Sequence, residues 1–85
     1  MVMTHAVVDV ERWLEGKDAR AAAIGAVGTN VTDYVAVDGS NNIAVTAEVH
    51  DMDAAQAMIT TPPPEAAALM EKHGVVQPIT AYIEA

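Results

Sequence analysis

Apolar and polar residues alternate strictly from Asn42 to His50. Ile43, Val45, Ala47 and Val49 fall on one side, and Ala44, Thr46, Glu48 and His50 on the other, which is the period of two that a β-strand imposes. One side is greasy and the other mixed, so this strand predicts a sheet with one face under helices and the other lining a cavity or an interface. The same period runs through Val2 to Val8, where His5, Val7 and Asp9 share a side, and through Val31 to Val37 and Pro78 to Glu84. Between these stretches the period lengthens. Val10, Trp13, Leu14, Lys17 (through its aliphatic stem), Ala21 and Ile24 recur at about 3.6 residues, predicting one amphipathic helix, capped by Asp9 and weakened at Gly16. Gly25 and Gly28 are expected to end it in the left-handed conformation.

Asp38-Gly39-Ser40-Asn41-Asn42 has the composition of a hairpin loop, because these residues tolerate positive φ or bond their own backbone. After His50, Asp51 or Asp53 is placed to cap a second helix, and Asp53 with Gln56 resembles a capping box. The three consecutive prolines Pro62, Pro63 and Pro64 remove three donors and must split that helical region. A fresh helix starting there carries Leu69 and Met70 inward until Gly74 stops it. His73, beside that helix end, reads as a solvated cap.

The element order is β-α-β-β-α-β, which predicts the α+β class: a single ferredoxin-like domain over residues 1–85 with a four-stranded antiparallel sheet. In that topology the first and third strands are neighbours, and His5 is expected beside His50.

Composition adds an assembly and removes several partners. A chain of 85 residues, 52% hydrophobic, builds only a modest core, and self-association is a natural way to bury more surface. The formal net charge of −8, with only four lysines and arginines (Arg12, Lys17, Arg20 and Lys72) placed on helices, argues against nucleic acid or an anionic membrane as partner. Cysteine is absent, which excludes a disulfide framework and a thiolate nucleophile and fits a reducing, cytoplasmic location. No apolar run approaches bilayer length. Gly25-Ala26-Val27-Gly28 is too short for a dinucleotide loop, so no cofactor is expected.

Thr4-His5-Ala6-Val7-Val8-Asp9 followed by Trp13, then Glu48-Val49-His50-Asp51, Met70-Glu71-Lys72-His73-Gly74-Val75 and the terminal Tyr82-Ile83-Glu84 together resemble the dimeric α+β barrel superfamily. Within it, the pattern is most similar to small proteins of the antibiotic-biosynthesis monooxygenase type. The resemblance covers nearly the whole chain as a rhythm of weak signals. It implies a homodimer in which two sheets face each other around a cavity, with the helices outside. Members include cofactor-free monooxygenases, cyclases, isomerases and proteins without activity, so the fold does not choose among them.

On that arrangement the cavity-facing residues are His5, Tyr34, Thr46, Glu48, His50 and Tyr82, with Asp9 at a strand end. His5 or His50 would serve as acid/base, with Glu48 orienting the imidazole. Tyr34, Thr46, Tyr82 and Asp9 would hold an aromatic or polyketide-like ligand. His5, Glu48 and His50 also have the ligand types of a two-histidine, one-carboxylate metal site, the alternative to a metal-free one. A structural role for the same residues stays open beside both, as do an enzyme, a ligand-binding module and a structural dimer as the function.

Overall fold

Eight elements form in the computed structural model, which describes residues 1–85. They are β1 (Val2–Val7), α1 (Val10–Glu15), α2 (Lys17–Ile24), β2 (Gly28–Val35), β3 (Asn42–Val49), α3 (Met52–Thr60), α4 (Pro64–Lys72) and β4 (Val75–Tyr82). The strands make one four-stranded sheet in the order β2-β3-β1-β4, antiparallel at every pairing. The protein is thus α+β, compatible with the ferredoxin-like arrangement, with each helical connection in two pieces.

The first break is at Gly16. The sequence pattern predicts one helix from Val10 to Ile24, yet α1 ends and α2 begins at this buried glycine. Its φ of −86° and ψ of 6° are open to any residue, so conformational freedom is not what selects glycine here. A Cβ at this position would fall within the imidazole ring of His73. The second break is the proline segment: α3 stops at Thr60, and Pro64 occupies the first turn of α4, where a missing N–H costs nothing. Asp9 caps α1 by accepting from the Glu11 N–H at 3.0 Å. Asp51, not Asp53, caps α3, accepting from the Ala54 N–H at 3.1 Å.

Two strands start earlier than the alternation predicts. Gly28 is the first residue of β2, pairs with Val49, and lies so close to the Glu48 carbonyl that a Cβ would come within 2.8 Å of it. Neither Gly25 nor Gly28 is left-handed; Gly25 is α-helical with φ −56°. The left-handed glycines are Gly39, in the hairpin, and Gly74, after α4. β4 starts at Val75, opposite Val7, and reaches Pro78 at an irregularity in its register with β1. As an edge strand, β4 tolerates the absent donor there.

The helices cover one face of the sheet. Val7, Trp13, Ile43 and Val45 are its buried centre, with Met3, Val10, Ile24, Val31 and Val75 packed around them. The other face has no layer over it. Strand pairings place Val2, Thr4, Ala6, Thr32, Tyr34, Ala44, Thr46, Val76, Thr80 and Tyr82 there. No helix is long and apolar enough to cross a membrane.

Candidate functional site

Strand register decides which predicted site residues meet. His5 is opposite Ile43, and Met3 is opposite Val45, so His5 points with the core residues toward the helices. Thr46 is opposite Val2 and Thr32, and Tyr82 is opposite Val2. Tyr34 sits across from Ala44. Tyr34, Thr46 and Tyr82 therefore share the open face, as expected, and Glu48 lies at its margin, exposed, accepting from Asn30 Nδ2 at 2.7 Å. Asn30 adopts φ 53° at the irregular stretch of β2.

The expected cluster of His5, Glu48 and His50 is not formed. His5 is on the other face, and its partner Ile43 is seven residues from His50, roughly 20 Å along a strand. His50 lies just past β3, exposed, and its backbone N–H donates to the Val27 carbonyl at 3.0 Å. No three His, Asp or Glu side chains converge where they would hold a metal ion, so the alternative metal set is not assembled. Asp9 is exposed and taken up as the α1 cap.

The polar groups that do converge lie under the helices. A cavity of about 120 Å³ separates the sheet from the helix layer, and its walls are apolar except for His5, Arg20 and His73. His5 Nδ1 is 2.8 Å from the Ala6 carbonyl. That contact requires the ring to donate from Nδ1, which leaves the Nε2 lone pair as an acceptor. Its ring meets Trp13 edge to face, centroids 6.2 Å apart. Burial, and then the charge of Arg20, hold the His5 pKa below the ordinary 6.5, against the opposing pull of the Ala6 bond.

Arg20 is the centre of this group. Its guanidinium stacks 3.9 Å from the Trp13 ring centroid, and its Nε donates to Asp33 Oδ1 at 3.0 Å. Nη1 donates to the Trp13 carbonyl at 3.2 Å. The Asp33 side chain is only 3% exposed and that of Arg20 14%, which makes this a buried ion pair. Two donors remain without an acceptor on the protein, Arg20 Nη2 and Trp13 Nε1. An unpaired buried donor costs on the order of 1–3 kcal/mol.

His73 is 9% exposed and lines the same cavity, so it is not the solvated cap that its place in the sequence predicts. Its backbone N–H bonds the Leu69 carbonyl at the end of α4, and Arg12 takes over the capping, donating to the Lys72 and Glu71 carbonyls at 2.7 and 2.8 Å. The left-handed Gly74 then turns the chain into β4, tucking the imidazole against Gly16. Burial is the main cause that lowers the His73 pKa, followed by Arg20, Lys72 and Arg12, with Glu15 opposing.

Sequence reasoning missed Arg20 and His73 as interior groups. One signal for Arg20 was present: Asp33 alternates in phase with Val31 and Val35, and a carboxylate at an inward position needs a cation. No protein family, curated protein or solved structure matches the chain. Its class is set by its architecture alone, an α+β domain with a half-covered antiparallel sheet and a polar group enclosed beneath its helices.

Proposed function

We propose that the protein is a homodimeric α+β barrel that binds an aromatic or polyketide-like metabolite between two facing sheets. The observation that carries this reading is the uncharged open face in a chain of net charge −8. Among the strand positions that face outward, Glu48 is the one charged side chain, at the margin. Two strongly acidic copies repel each other at any other surface, and exposed apolar area of this kind marks interfaces. Val2, Tyr34, Val76 and Tyr82 supply the apolar contacts, being 38 to 56% exposed.

The same face carries a shallow concavity of about 410 Å³ bordered by Thr4, Ala6, Tyr34, Ala44, Pro78 and Thr80. Two such concavities, face to face, enclose a chamber in the size class of ligand sites, about 300–1,000 Å³. Its walls offer hydroxyl groups from threonine and tyrosine, suited to the oxygens of a ring-bearing metabolite. His5 also borders the concavity, but its register with Ile43 and its contact with Trp13 turn the ring to the helix side of the sheet. Binding without turnover is therefore the reading favoured over cofactor-free oxygenation, cyclisation or isomerisation.

Sedimentation equilibrium at micromolar concentration tests the assembly. A dimer is expected for the native chain and the 8.9 kDa monomer for Thr46→Lys, which places a charge at the middle of the face. A native protein that sediments only as monomer refutes the proposal. A dimer that takes up no hydroxylated aromatic ligand in equilibrium dialysis reduces it to a structural dimer.

A further inference from the structure

The geometry points to a binding site for a soft monovalent cation, copper(I), in the cavity between helices and sheet. The thioethers of Met3, Met58 and Met70 and the imidazole of His5 hold the ion.

The placement of the methionines is the first observation. Four of the five methionines in the chain, Met1, Met3, Met58 and Met70, line this one cavity, and each is half-buried, with surface left for a ligand. They arrive from separate elements. Met3 belongs to the sheet, Met58 to α3 and Met70 to α4. An unbranched thioether side chain turns about three bonds, so the sulfurs close on one ion without a change of backbone.

The second observation is the state of His5. It follows Met3 on the same strand face, opposite Ile43 where Met3 is opposite Val45, which sets the two about 6.6 Å apart along the strand. Its Nδ1–H donates to the Ala6 carbonyl at 2.8 Å, the outer bond that fixes the tautomer and orientation of a metal-ligating histidine. The ligating atom is then Nε2, which bonds no protein group. It is also not sealed, since the unpaired side-chain atoms that are sealed belong to Trp13 and Arg20.

The donors select the metal. Thioether and imidazole suit copper(I), whereas calcium, magnesium and manganese take oxygen ligands, and no carboxylate lines the cavity. Zinc sites are built from thiolate, imidazole and carboxylate, and of these the cavity offers imidazole alone. A single charge costs less to take out of water than a double one. Arg20, the one guanidinium in the wall, is offset by Asp33 at 3.0 Å. A volume of about 120 Å³ accommodates an ion whose ligands come from the walls. The site is on the helix side of the sheet, so it stands independently of the proposed dimer.

Met52, exposed and outside the cavity, is the internal control. Native protein carrying carbon-13 at its methionine methyls is titrated with silver(I), the redox-inert stand-in for copper(I). The methyl signals of Met3, Met58 and Met70 are expected to shift and to saturate at one equivalent, while that of Met52 stays in place. Equilibrium dialysis against the acetonitrile complex of copper(I), under inert gas, is expected to load one copper per chain. Met3→Leu and Met70→Leu keep the side-chain volume and weaken loading by about tenfold or more, and Met52→Leu leaves it unchanged. The methyl shifts are read in the native chain, so the folding of a variant does not decide the outcome. Absence of saturable loading, a Met52 shift equal to the others, silver held at His50 with the cavity methyls unmoved, or native affinity in a folded Met3→Leu protein overturns the assignment.

Discussion

The imidazole of His73 occupies the space a side chain at Gly16 would need, and this contact joins the α1–α2 break to the end of α4. Gly16→Ala forces a methyl group into that ring, and overpacking of this kind costs about 1–3 kcal/mol. The denaturation midpoint of Gly16→Ala should fall accordingly, and should recover in part when His73→Ala is added, since the clash is between those two groups. The histidines also set a pH dependence. Each titrates near 6.5 in the unfolded chain and lower in the folded one, so between those values the unfolded chain binds more protons and stability rises with pH. Stability should be complete above about pH 6.5 and decline as pH drops through the lowered folded values. Urea unfolding at pH 7.5, 6.5 and 5.5 checks this, and a flat profile across that window contradicts it. The alternation in β1 did place His5 in phase with Val7, but it carried no information on which face of β3 that phase meets. Both sets of β1 positions are partly apolar: Met3, His5 and Val7 against Val2, Thr4 and Ala6.

At the scale of elements, the ion pair between α2 and β2 is what ties the first helical layer to the sheet edge. Arg20→Met leaves Asp33 charged and nearly enclosed, which costs about 3–5 kcal/mol, whereas the double replacement Arg20→Met with Asp33→Leu should return most of that loss. Thermal unfolding of the single and double variants measures the difference. The second connection depends on its caps: Asp51→Ala removes the acceptor for the Ala54 N–H and should lower stability by about 1 kcal/mol, while Asp53→Ala should not. The proline segment, the hairpin loop and the Gly74 stop were all readable locally, because each acts through its own backbone chemistry. The early start of β2 was not, since Gly28 joins the sheet through its close approach to Glu48, a residue twenty positions away.

At the scale of the whole molecule, the two sheet faces part company. One buries Val7, Trp13, Ile43 and Val45, and the other gathers threonines, alanines and tyrosines in an acidic protein that keeps nearly all its charge elsewhere. This partition motivates the proposed dimer, and raising ionic strength should strengthen it by screening the repulsion between copies; sedimentation over about a tenfold span of salt, from ~0.05 to ~0.5 M, checks the direction. The sequence by itself determined the element types, the antiparallel hairpin, the proline break between α3 and α4 and the greasy face of β3, because periodicity and turn chemistry are properties of neighbouring residues. Only the tertiary structure decided that His5 and His50 never meet, that Arg20 and His73 turn inward, and that the enclosed polar group sits beneath the helices. Those outcomes depend on the register between strands and on close approaches between distant segments, and a one-residue change of register reverses every side chain without altering the local pattern.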